Sequence, residues 1–86
     1  MIHKVLTIQN PEGLRARPAA QFVQVASSFA SQMLIEMGNK KVNAKSVMGV
    51  LSLGVGPGES IHLFVTGPDE QAAMAAMQEL TQQGSM

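Results

Sequence analysis

The hydrophobic period of this chain switches between that of a strand and that of a helix. In Ser60–Thr66 the residues Ile61, Leu63 and Val65 alternate with other side chains, as in a strand with one buried face. Ala19, Phe22, Val23 and Ala26, extended by Phe29 or Ala30, instead recur at the spacing of a single helix face. Both patterns must be satisfied together, because 86 residues leave room for one small domain, residues 1–86, which buries only about 60–65% of its unfolded surface. Helices covering one face of an antiparallel sheet meet that demand.

The remaining segments extend this α+β reading. Lys4 to Gln9 alternates around Val5, with Leu6 and Ile8 as further candidates, and reads as a first strand ended by the turn residues Asn10-Pro11-Glu12-Gly13. The helix begins at about Arg17, with Pro18 in a first turn where its missing N–H costs nothing. Met33–Met37 and Lys40–Asn43 form a hairpin about Gly38-Asn39. Ser46 caps a short helix to about Ser52, and Gly54-Val55-Gly56-Pro57-Gly58 ends it. After the strand Ser60–Thr66, Gly67-Pro68-Asp69-Glu70 opens a last helix to about Gln83, with Gly84 as its stop. Ala73, Ala76, Met77 and Leu80 are expected to face the sheet. The order is βαββαβα.

Cysteine is absent, so disulfides and thiolate metal sites are excluded, and no run is long or apolar enough for a membrane span or signal peptide. A cytoplasmic protein with no membrane partner is expected. Net charge is zero but unevenly spread. Residues 1–45 hold all six basic residues and only Glu12 and Glu36, whereas the rest holds Glu59, Asp69, Glu70 and Glu79 and no base. This polarity suits an acidic or phosphorylated partner on the N-terminal half but is too weak for direct nucleic-acid binding.

Two segments carry chemistry. In Gly13-Leu14-Arg15-Ala16-Arg17-Pro18-Ala19 two permanent cations stand at the positive end of a helix, an unfavourable placement of roughly 0.3–1 kcal/mol each. Free amides, the helix dipole and two guanidinium groups suit a phosphate or carboxylate. In Lys45-Ser46-Val47-Met48-Gly49-Val50-Leu51-Ser52-Leu53-Gly54 the serine is an N-cap, and a phosphoryl group there would add about −1.5 to −2 charge where amides and dipole favour it. Val47, Met48 and Leu51 offer apolar side chains from the same helix, and Lys40, Lys41 and Lys45 are close in sequence.

Together these two segments, at family spacing, resemble the phosphate-accepting loop and the regulatory serine site of the HPr phosphocarrier proteins, and the resemblance covers nearly the whole chain. It implies an open-faced β-sandwich with strand order 1-4-2-3. In HPr a histidine takes a phosphoryl group from enzyme I of the sugar phosphotransferase system and passes it to enzyme IIA. Here Arg15 stands in its place, and a guanidinium has five donors and no lone pair to accept with. The pattern is most similar to Crh, the catabolite-repression paralogue, which keeps the serine and lacks the histidine, although glutamine typically stands there where this chain has Arg15.

The resemblance implies phosphorylation of Ser46 by HPr kinase/phosphorylase and action as corepressor of the transcription factor catabolite control protein A. It further implies partner contacts through Arg17, Val47, Met48 and Leu51, with Arg15 inheriting a place at the interface. The alternative is a phosphocarrier serving the phosphotransferase-system enzymes, or an Arg15 variant of one. A monomer and a homodimer exchanging the first strand about Asn10–Gly13 are both open.

Other signals are weaker. His3 and His62 read as sheet-surface residues. Gly54, Gly56 and Gly58 form a connecting loop, since no lysine follows and no helix opens. No spacing of the acidic residues suggests a catalytic pair or a metal site. The expectation is a substrate of enzymes rather than an enzyme, with no cofactor or metal.

Overall fold

A computed structural model describes residues 1–83. Its elements are β1 (Ile2–Thr7), α1 (Ala16–Ser27), β2 (Gln32–Met37), β3 (Lys40–Asn43), α2 (Val47–Ser52), β4 (Ser60–Thr66) and α3 (Glu70–Gln83). The stop expected at Gly84 lies outside the described residues.

Four antiparallel strands form one sheet in the order β1-β4-β2-β3, with the three helices on one face. The fold is α+β, with the strand order the resemblance implied. A two-residue loop joins Met37 to Lys40, and Gly38 (φ 62°) supplies the one positive φ that a type II′ hairpin requires. Ile61, Leu63 and Val65 of central β4 are completely buried. The helix stripe is borne out by the burial of Ala19, Phe22, Val23 and Ala26; Phe29 packs at its end, and Ala30 is exposed.

Two expectations need correction. The first strand runs from Ile2 to Thr7 rather than from Lys4 to Gln9, and its inward residues are Leu6 and then Ile8 beyond it, while Val5 is 55% exposed. The register decides this: Leu6 pairs with inward Ile61, and Val5 pairs with outward His62. In α3 Ala73 and Met77 are buried as expected and half-buried Leu80 packs against the core, but Met74 and Thr81 complete the buried ridge and Ala76 is only half-buried. The helix is rolled so that the long Met74 side chain, rather than the Ala76 methyl, fills the space over the sheet.

Asp69 fixes the start of α3. Its carboxylate accepts from the amides of Ala30 and Ser31, both at 2.9 Å, and from the Ser31 hydroxyl at 2.5 Å. These bonds, the Ser31 hydroxyl first and the Ala30 amide next, hold its pKa below the usual aspartate value. The Gly67 amide and then the Met1 amino group act likewise on Glu70.

Candidate functional site

The segment before α1 is held by a neighbouring loop. The Leu14 amide donates to the Val55 carbonyl at 2.9 Å, the Gly13 amide to Asn10 O at 3.1 Å, and the Asn10 side-chain amide to Gly13 O. Gly13 has φ 66° and lies so close to the other backbone that a Cβ would stand 2.8 Å from Gly56 Cα. Only glycine satisfies both demands. Gly56 is fixed in turn by donating its amide to Glu59 Oε1 at 2.6 Å.

Arg15 follows as the N-cap of α1, extended at φ −126° and ψ 155°, with no side-chain hydrogen bond to the helix amides. Arg15, Ala16 and Arg17 are exposed, whereas Pro18 is buried. Ala16 adopts φ 50°, the left-handed region a Cβ disfavours by roughly 1–2 kcal/mol. Among the described residues neither guanidinium makes a salt bridge. The helix therefore opens on two solvated cations and a strained residue, with its first amides uncapped by Arg15.

Ser46 is the N-cap of α2, as its sequence position suggested. Its backbone is extended (φ −110°, ψ 116°), and its Oγ accepts from the Gly49 amide at 3.1 Å. Val50 is completely buried and anchors the helix. Val47 and Leu51 are each 39% exposed and Met48 is 76% exposed. These three are among the large apolar side chains the surface leaves open, so Met48 is no part of the core.

Lys45 Nζ donates to Phe29 O, past the C-terminal end of α1, at 2.7 Å. The loop leaving α2 meets Leu14 at the other end through Val55. Ser46 and Arg15 thus stand at opposite ends of the packed α1–α2 pair. The three lysines do not gather about Ser46. Lys40 caps the far end of α2 at Ser52 O, 3.1 Å away, and Lys41 Nζ lies 4.3 Å from the Phe64 ring centre. Strand alternation sends Lys40 and Lys41 to different faces.

Among the described residues there is no group of three or more His, Cys, Asp or Glu able to hold a metal. An open pocket of about 260 Å³ lined by Ile2, Lys4, Gln71, Met74, Ala75 and Gln78 lies between β1 and α3 and holds neither motif. The reading along the chain missed the support that loop 54–58 gives the start of α1. Glycines at 13 and 56 were the available signal, but the pairing of the two loops is long-range.

A family model described as the PTS HPr component phosphorylation site matches residues 2–83. The chain belongs to the HPr family. It is 51% identical to the HPr-like protein Crh of Halalkalibacterium halodurans, over 90% of this chain and 92% of that protein. A crystal structure of HPr from Thermoanaerobacter tengcongensis superposes with a TM-score of 0.95 at 49% identity, covering 98% of this chain and 94% of that one. The Bacillus subtilis Crh crystal structure, described as a dimer with a swapping domain, gives 0.77 at 41% identity, over 100% and 99% of the two chains. Members of this HPr and Crh family are phosphocarrier and phosphocarrier-like proteins. No described helix is long and apolar enough to cross a membrane.

Proposed function

We propose that this HPr-family chain is a regulatory phosphoprotein of the Crh type, phosphorylated on Ser46 by HPr kinase/phosphorylase and then acting as corepressor of catabolite control protein A. The observation that carries the reading is Arg15. At the N-cap of α1, where the family motif has its accepting imidazole, this chain has a group without a lone pair. The similarity to Crh of Halalkalibacterium halodurans supports the same reading.

The hydroxyl of Ser46 sits where a phosphate is best tolerated. Its Oγ already faces the Gly49 amide, and phosphate oxygens can take over that bond while gaining the favourable end of α2. The transferred group is the γ-phosphoryl of ATP: the Ser46 oxygen forms the new bond to phosphorus, ADP leaves, and the hydroxyl proton passes to a base of the kinase. Met48, Val47 and Leu51 then provide an adaptable apolar contact next to the new charge. Arg17, and Arg15 beside it, contribute cations to an acidic or phosphorylated partner.

Incubation with the kinase and ATP is expected to add one phosphate by intact-mass spectrometry, absent in Ser46→Ala. Incubation with enzyme I and phosphoenolpyruvate is expected to add no acid-labile phosphate. An unmodified Ser46 in the first sample overturns the reading, and an acid-labile phosphate in the second overturns it in favour of phosphoryl relay.

A further inference from the structure

We propose that His3 and His62, on the sheet face opposite the helices, form a two-histidine site for one divalent transition-metal ion of the zinc–copper group, with water in the remaining positions. In the β1–β4 ladder His3 pairs with Phe64 and Val5 with His62, so the histidines are diagonal neighbours on one face. Their rings reach one another: His3 Nε2 stands 2.9 Å from His62 Nδ1. Two imidazole nitrogens bound at about 2.0–2.1 Å to a shared ion stand about 2.9 Å apart at a right angle and about 3.4 Å apart at the tetrahedral angle. The observed 2.9 Å, a hydrogen bond between the rings, equals the right-angle separation and opens by about 0.5 Å to reach the tetrahedral one.

The pair is braced as well as close. His3 lies flat against Phe64, with ring centres 4.4 Å apart and planes 6° from parallel, and the Lys41 ammonium holds Phe64 in turn. The His3 and His62 rings are 18° from parallel, and both residues are exposed, leaving the pair open to an ion from solvent. Glu36 is the register partner of both His62 and Lys41 and so belongs to the same sheet face.

Without metal, one facing nitrogen donates its proton to the other. Coordination needs both lone pairs, so the proton leaves the gap and each neutral ring carries its hydrogen on the far nitrogen, His3 Nδ1 and His62 Nε2. Each ring must also turn by about 35–45° so that the two lone pairs meet at a common ion instead of along the line between the nitrogens.

The test is calorimetric titration of untagged protein with zinc chloride, beside His3→Ala and His62→Ala, with far-UV circular dichroism to establish that both variants are folded. Saturable binding is expected, weakened about tenfold or more in either variant as the chelate is lost. Zinc should also shift the 15N resonances of His3 Nε2 and His62 Nδ1. Absence of saturable binding overturns the proposal. So does wild-type affinity in His62→Ala, which would mean that His3 binds with the chain's first residues and without its cross-strand partner.

Discussion

Arg15 and Ser46 divide the chemistry of this chain between a group unable to take a phosphoryl and one able to. If the surrounding backbone is otherwise fit for transfer, Arg15→His should acquire an acid-labile phosphate from enzyme I and phosphoenolpyruvate, while the parent chain acquires none; intact mass before and after acid treatment reads both. Ser46→Ala should cost about 1 kcal/mol in urea unfolding, because the Gly49 amide loses its acceptor. Gly13→Ala should cost more than about 2 kcal/mol, since φ 66° is strained for alanine and the methyl meets Gly56. The roles of Ser46 as N-cap and of Pro18 in a first turn were legible in the sequence, as both are local. The strain at Ala16 was not, because the tether from Leu14 to Val55 that accompanies it joins residues 41 apart.

At the scale of elements, the Asp69 cluster joins the α1–β2 connection to the start of α3, and its protonation has a defined direction. The folded-state pKa is depressed, so the stabilisation is present above the unfolded aspartate value, about 3.9, and is lost as pH falls through the lower folded value. Glu70 acts in the same sense. Thermal unfolding followed between pH 6 and about 2 should show an acid decline, and Asp69→Asn should have a lower melting temperature at neutral pH with a shallower decline. Element types and order were readable because each segment keeps one period: Ile61, Leu63 and Val65 announce a strand and Phe22, Val23 and Ala26 a helix. The phase of β1 was harder to read, because Val5, Leu6 and Ile8 are all apolar and only pairing with β4 selects Leu6 and Ile8. Lys40, Lys41 and Lys45 were grouped by proximity in sequence, and strand alternation parts the first two.

For the whole molecule, Phe22 is the largest completely buried side chain, and Phe22→Ala should cost about 3–5 kcal/mol by denaturant titration, enough to unfold much of a population this size. β1 is an edge strand paired only with β4, and Asn10–Gly13 joins it to the rest. Those two features are what exchange between copies requires, so size-exclusion chromatography of concentrated protein should reveal a dimer that persists for a time on dilution; monomer alone at every concentration would remove that expectation. The central position of β4 also governs the order in which the molecule can be made. Both the β1 and the β2–β3 portions of the sheet find their partner in residues 60–66, so a chain leaving the ribosome can close its hairpin early but has no sheet to complete until residues 60–66 have emerged. Completion of the sheet therefore waits for β4, and a fragment ending at Gly58 should remain without a cooperative unfolding transition.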